Sequence, residues 1–167
     1  MRSRTSLHVA SRFVPLALLV LSILGFADAT YLTERYYSGL AVGCVALGGC
    51  EQVTGSQYAT IGDVPVALLG AGYYLIILGL VALYFFLSRE QKSEFSRIAD
   101  GLLNFAAKFT VVGFLVSLWF VYLQLFVIQS ICTYCMISAA TSTLLFLSGM
   151  ILLHVRRAMR EEEVTVG

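Results

Sequence analysis

Residues 109–154 read FTVVGFLVSLWFVYLQLFVIQSICTYCMISAATSTLLFLSGMILLH, without an Asp, Glu, Lys or Arg. A helix crosses a bilayer in roughly 20 apolar residues. This run is therefore long enough for two crossings, Phe109–Gln129 and Ile131–His154, with a very tight reversal near Gln129–Ser130 between them. Cys132 and Cys135 then open the second crossing as a Cys-x-x-Cys pair at the membrane boundary.

Two further apolar stretches, Phe13–Tyr31 and Val64–Leu87, complete a set of four spans. The totals agree with that count. Of 167 residues 59% are hydrophobic and 13% charged, about half the charge a soluble domain carries, and mean hydropathy is +0.85. The expected fold class is an all-α integral membrane protein, a four-transmembrane-helix bundle with a long outer loop carrying a short helix. A net charge of +1 and the lack of a basic stripe give no footing for nucleic acid.

Charge distribution orients the chain. Arg2, Arg4 and Arg12 precede the first span; Arg89, Lys92, Arg97 and Lys108 lie between the second and third; Arg156, Arg157 and Arg160 follow the fourth. The positive-inside rule places all three groups in the cytoplasm, and only Arg35 falls on the opposite side. The expected organisation is a cytoplasmic tail 1–12, a membrane domain 13–155 with an outer cysteine loop at about 32–63, and a cytoplasmic tail 156–167. A second reading treats the start as a signal peptide, with Ala27-Asp28-Ala29 as an Ala-x-Ala cleavage site.

Smaller expectations follow from spacing. Phe95, Ile98, Leu102, Phe105 and Phe109 recur at helical intervals, which predicts an interfacial helix Lys92–Phe109 leading into the third span. Tyr31, Tyr36, Tyr37, Tyr73 and Tyr74 fit an aromatic belt near the outer boundary. Gly70, Gly72 and Gly79 permit close helix packing. Pro65 suits the first turn of the second span.

The Leu32–Asp63 loop is too long for a mere connector. It holds Cys44 and Cys50, with Gly48-Gly49 expected to let the Cys50 thiol swing, and Cys50–Tyr58 reads as a short helix ending near Gly55. With both cysteine pairs on the oxidising side, disulfides persist. A Cys-x-x-Cys pair at a helix start gains from unpaired N–H groups and the helix dipole, which favour the thiolate that attacks disulfides. The inert readings are a four-cysteine zinc site or two structural disulfides on a scaffold. His8 and His154 both lie near the cytoplasmic ends, and a bridge across three residues adds little to a bundle. The redox reading is a relay: partner dithiol to the mobile loop pair, loop pair to the membrane pair, membrane pair to a lipid-soluble acceptor. Four cysteines allow three full pairings.

Cys44-x5-Cys50, Ser56 six residues after Cys50, Gly62-Asp63-Val64-Pro65 leading to Gly70 and Tyr73-Tyr74, and Cys132-Thr133-Tyr134-Cys135 opening the last span together resemble bacterial members of the vitamin K epoxide reductase family over roughly residues 12–155. The resemblance implies a four-helix bundle around a quinone site (ubiquinone or menaquinone, no metal) capped by the outer loop. It implies that Cys135 reacts with the quinone, that Cys132 exchanges with Cys50, and that Cys44 resolves that bond or engages the partner. Ser56 resembles a hydroxyl position kept near the cysteines, or is a turn residue. Leu69, Tyr73 and Ala139 are the expected pocket lining. Ala139 stands where vertebrate members place a tyrosine, and Val66 where they place an asparagine. DsbB-type oxidases share the chemistry but carry Cys-x-x-Cys in the first outer loop.

The activity so implied is thiol:quinone oxidoreduction at the bacterial inner membrane. It reoxidises a separate periplasmic DsbA-like thioredoxin-fold protein and so supports disulfide formation. Reduction of a quinone or vitamin K epoxide for its own sake is the alternative.

Overall fold

The structure, a computed structural model, describes residues 2–44, 48–88 and 93–166. Helix α1 spans Arg2–Ser38, α2 Cys50–Thr54, α3 Val66–Leu87, α4 Ser93–Tyr122 and α5 Thr133–Val166, and a hairpin pairs β1 Thr60–Ile61 with β2 Val64–Pro65. Four helical segments are long and apolar enough to cross a membrane: Phe13–Ser38 of α1, Val66–Leu87 of α3, Arg97–Ile128 of α4 and the turn continuing it, and Thr133–Glu161 of α5. The bundle is an all-α multi-pass membrane fold, as the apolar runs imply.

Helix α1 packs against α3 and α5, and α4 against α3 and α5. Its core comprises Leu18, Ala29, Ala71, Tyr74, Ile77, Leu103, Ala106, Ala107, Leu145 and Leu152. With 37 residues, α1 extends about 55 Å, well beyond the roughly 30 Å hydrocarbon layer. Ala29 lies in the same core as Leu18, so the segment that a signal-peptide reading would remove is part of the packed bundle.

At one end of the bundle a second cluster gathers Leu32, Val42, Cys50, Val53 and Cys132, flanked by Tyr31, Cys44, Tyr134 and Cys135. All four cysteines therefore share this end. At the opposite end Arg156 on α5 reaches α4, donating to the Asp100 carboxylate at 2.7 Å and to the Asn104 side chain at 3.3 Å.

Several expectations change. The interfacial helix and the third span are one unbroken helix, α4. Along its first half Ile98 and Phe105 are more than half exposed, as an interfacial helix requires, while Ala99, Leu103 and Ala106 are buried and Phe109 packs against the core. Lipid is itself apolar, so large hydrophobic residues need not face inward, and small residues take the helix contacts. The glycines behave likewise. Gly72 and Gly79 have no neighbour where a Cβ would stand, whereas Gly25 and Gly113 accept the rings of Tyr74 and Tyr73. Tyr74 is thus a core residue, 1% exposed, and not part of an aromatic belt. Pro65 caps α3 from β2 with an extended backbone instead of occupying its first turn.

The reversal between α4 and α5 falls where the sequence places it. Leu123–Ile128 is a π-helical turn that ends at Gln129 in the left-handed region, φ 54°. The Ser130 N–H closes it by donating to the Gln124 carbonyl at 3.2 Å. A π-helical turn frequently marks a functional site, and here it delivers the chain directly into Cys132.

Candidate redox site

Cys44 and Cys50 are joined in a disulfide, with their Cα atoms 5.6 Å apart. Cys132 and Cys135 are free thiols. The Sγ of Cys132 lies 3.4 Å from the Sγ of Cys50, so the two pairs meet through these inner sulfurs. Burial sorts the four residues into a sequence. Cys50 is 1% exposed and Cys132 fully buried, whereas Cys44 and Cys135 are both partly open. The outer members of each pair are reachable and the middle junction is closed to water and to competing thiols.

Local structure explains this closeness. Gly48 pairs antiparallel with Cys132 through the backbone. A Cβ on Gly49 would stand 2.8 Å from the Ile131 nitrogen and 2.9 Å from its oxygen. The absence of a Cβ at Gly49 thus lets the loop dock against the α4–α5 turn. Cys50 begins α2, which ends at Thr54 with Gly55 as its cap, and Val53 packs into the cysteine cluster.

On the other side Gln124 holds Cys132. This glutamine is 2% exposed, its side-chain oxygen accepts the Cys132 N–H at 2.9 Å, and its amide donates to the Phe120 carbonyl at 3.5 Å. Spacing alone gave no hint of it, because a lone glutamine within an apolar run carries no periodic signal. A buried polar side chain is retained only with partners, and here those partners are the backbone of the reactive segment.

The sulfur chemistry is polarised. Cys132 precedes the helix and lies outside the α5 span. A hydrogen bond from the Cys135 thiol holds it below the ordinary thiol range, at about 7, helped by the Cys135 and Tyr134 backbone amides and opposed by burial and the Asp28 charge. Around Cys44, the Cys50 N–H donates to the sulfur at 3.1 Å and the Thr133 hydroxyl at 3.8 Å. These donors stabilise a Cys44 thiolate, whether it arrives as nucleophile or departs as leaving group.

The remaining expected site residues are placed as follows. Ser56 is half-buried and its hydroxyl donates to the Val53 carbonyl at 2.8 Å, a turn contact just beyond α2. Leu69 is 51% exposed on α3. Tyr73 points into the seam with α4, its ring 5.5 Å from that of Phe109 and its hydroxyl 3.5 Å from the Thr110 carbonyl. Ala139, four residues after Cys135, stands on the same helical face. An open groove of about 370 Å³ beside the disulfide is lined by Gly48, Gly49, Gln52, Ser130 and Ile131. Among the described residues, no group of three His, Cys, Asp or Glu side chains is placed to hold a metal ion.

A family model described as the vitamin K epoxide reductase family matches residues 16–149. The chain belongs to this family. Comparison with curated proteins finds no match. Membership of the vitamin K epoxide reductase family implies a quinone-linked thiol oxidoreductase, and the Cys44–Cys50 disulfide fits a redox role.

The site's residues fit a quinone on one observation in particular. The Asp28 Oδ2 is buried and accepts no hydrogen bond among the described residues, and its charge acts on both Cys132 and Cys135. An unpartnered polar atom on α1 within one turn of Leu32, which packs in the cysteine cluster, suits a ligand that exchanges protons there.

Proposed function

We propose that this protein reoxidises a separate periplasmic DsbA-like thioredoxin-fold protein and passes the electrons to a membrane quinone, ubiquinone or menaquinone, thereby supporting disulfide formation. Both termini lie in the cytoplasm, with tails 1–12 and 156–167 flanking the membrane domain, and the cysteine end faces the periplasm of the bacterial inner membrane. The 3.4 Å approach of Cys132 to Cys50 carries the reading. It supports a direct exchange between the two pairs.

The partner's thiolate attacks Cys44, the open member of the loop disulfide, and resolution of that mixed disulfide leaves Cys44 and Cys50 as thiols and the partner oxidised. The Cys50 thiolate then attacks Cys132 of a Cys132–Cys135 disulfide and releases Cys135. Cys44 attacks Cys50 in turn, releases Cys132 and restores the loop disulfide. Two electrons have now moved to the Cys-x-x-Cys pair, the redox state that the structure displays. The bound quinone supplies a two-electron, two-proton acceptor. Cys135, the open thiol of the pair, would deliver the electrons to it, and Cys132 would close the disulfide with Cys135.

Burial supports this division. A bulky partner reaches Cys44 but not Cys50, while Cys132 exchanges only within the protein. Purified protein in detergent, supplied with reduced DsbA-like protein and a soluble quinone, is expected to reduce the quinone, and Cys135→Ala is expected to abolish turnover. No turnover in folded protein with several quinones would favour a scaffold with a structural disulfide.

A further inference from the structure

Asp28 is an ionisable residue within a membrane-spanning segment, and such residues are rare without a partner or a task. Its position is fixed by its neighbours on α1. One turn toward the tail end, Gly25 accepts the ring of Tyr74. One turn toward the cysteine end, Leu32 packs with Cys50 and Cys132, and adjacent Tyr31 meets the Tyr134 ring at 5.0 Å. Asp28 therefore lies between the cysteine cluster and Tyr74. The Tyr74 hydroxyl is within 2.9 Å of the Ser138 carbonyl, 3.0 Å of the Ser138 hydroxyl and 2.8 Å of the Ser142 hydroxyl, so the polar groups of that layer are mutually satisfied. The Asp28 Oδ2, buried at the same level, is left without a donor among the described residues.

We propose that Asp28 is the proton acceptor for the Cys132–Cys135 dithiol, taking the proton from Cys135 as the pair is oxidised and returning it to the reduced acceptor. The inference rests on the thiol:quinone reading above. The balance is simple. The dithiol loses two electrons and two protons and becomes the Cys132–Cys135 disulfide, while a quinone gains both and becomes a quinol. Asp28 carries one of the protons and ends the cycle ionised, as it began. The titratable and charged groups within electrostatic reach of it are Tyr74 from α3, Tyr134 and Cys135 from α5, and Cys132 from the turn before it. On its own helix the nearest inward charge is Arg35, two turns away, whose guanidinium lies over the Tyr31 ring at 5.2 Å. The Arg35 Nε lies 3.8 Å from a Glu34 carboxylate oxygen, and among the described residues neither this Nε nor the Asp28 Oδ2 has a hydrogen-bond partner.

The decisive experiment compares infrared difference spectra of the full chain in detergent with the Cys-x-x-Cys pair as dithiol and as disulfide, without quinone and with isotopically labelled aspartate. With no quinone to take the proton onward, the expected result is a protonated aspartate carboxyl band that appears on oxidation of the thiols and is absent in Asp28→Asn. Wild-type protein with no redox-linked aspartate band would overturn the assignment, even if Asp28→Asn did not fold. A second readout is single-turnover oxidation of pre-reduced protein by a short-chain quinone across pH. Asp28→Asn is expected to lower the rate about a hundredfold, the scale of lost general-base catalysis, and to flatten the pH profile, with Asp28→Glu restoring the slope. An unchanged profile in Asp28→Asn would equally reject the assignment. If wild-type protein fails to turn over, the relay reading falls, and the infrared comparison still decides whether Asp28 follows the thiols.

Discussion

The side-chain oxygen of Gln124 accepts the backbone N–H of Cys132 at 2.9 Å, and both residues are closed to solvent. Gln124→Leu keeps the volume roughly constant but leaves that N–H buried and unpaired, at a cost of about 1–3 kcal/mol. Because the lost contact sets where the Cys132 sulfur sits, exchange with Cys50 is expected to slow by about tenfold or more. Rapid acid quench and thiol labelling measure the rate, and thermal unfolding measures the stability. Unaltered exchange in a folded variant would show that the contact only secures the turn.

Thr133 offers its hydroxyl to the Cys44 sulfur at 3.8 Å. A neutral hydrogen bond contributes about 1 kcal/mol, so Thr133→Val is expected to slow formation of the loop disulfide from Cys44 and Cys50–Cys132 by about fivefold. Thr133→Ser is expected to retain the rate. The comparison of these two variants separates the hydroxyl from the methyl group.

Adjacent glycines in the loop are expected to respond oppositely. A Cβ at Gly49 meets the Ile131 backbone at 2.8 Å, whereas one at Gly48 meets nothing within 4 Å. Gly49→Ala should push the loop from the α4–α5 turn and suppress exchange between the pairs, while Gly48→Ala should leave it close to wild type. Equal effects at both positions would mean that loop flexibility, not docking, matters.

The Cys132 thiol, held at about 7, is deprotonated above that pH and protonated below it. The reverse step, attack of the Cys132 thiolate on Cys50 of the loop disulfide, is expected to accelerate as pH rises toward about 7 and then level off, whereas an ordinary thiol keeps gaining to about 8.5. Removing the largest stabiliser with Cys135→Ala should move the inflection upward. Ultraviolet thiolate absorbance, with Cys132→Ser as the blank, follows the titration directly.

Much of this was legible in the sequence, and the pattern of misses is physical. Long uncharged runs set the four spans, and the run through Gln129–Ser130 located the reversal, because length against bilayer thickness is a strong constraint. The cysteines were found through their spacing. Gln124 and Asp28 were not, since each is a single polar residue in an apolar run and its meaning depends on what stands across the helix seam. Asp28 read instead as the middle of an Ala-x-Ala site. Gly49 was read as a source of mobility, because a glycine's sequence signal does not distinguish a flexible backbone from a closely approached one. The outward Ile98 and Phe105 of α4 follow lipid's rule, under which large apolar residues need no cover from other helices.

The central claim is that electrons cross between the pairs through a Cys50–Cys132 bond. Its most direct test is peptide mapping by mass spectrometry, under non-reducing conditions, of Cys44→Ala protein trapped during turnover with a small dithiol and a quinone. Without Cys44 to resolve it, a Cys50–Cys132 disulfide is expected to accumulate. Accumulation of Cys50–Cys135 instead, or of no bond between the two pairs, would contradict the account.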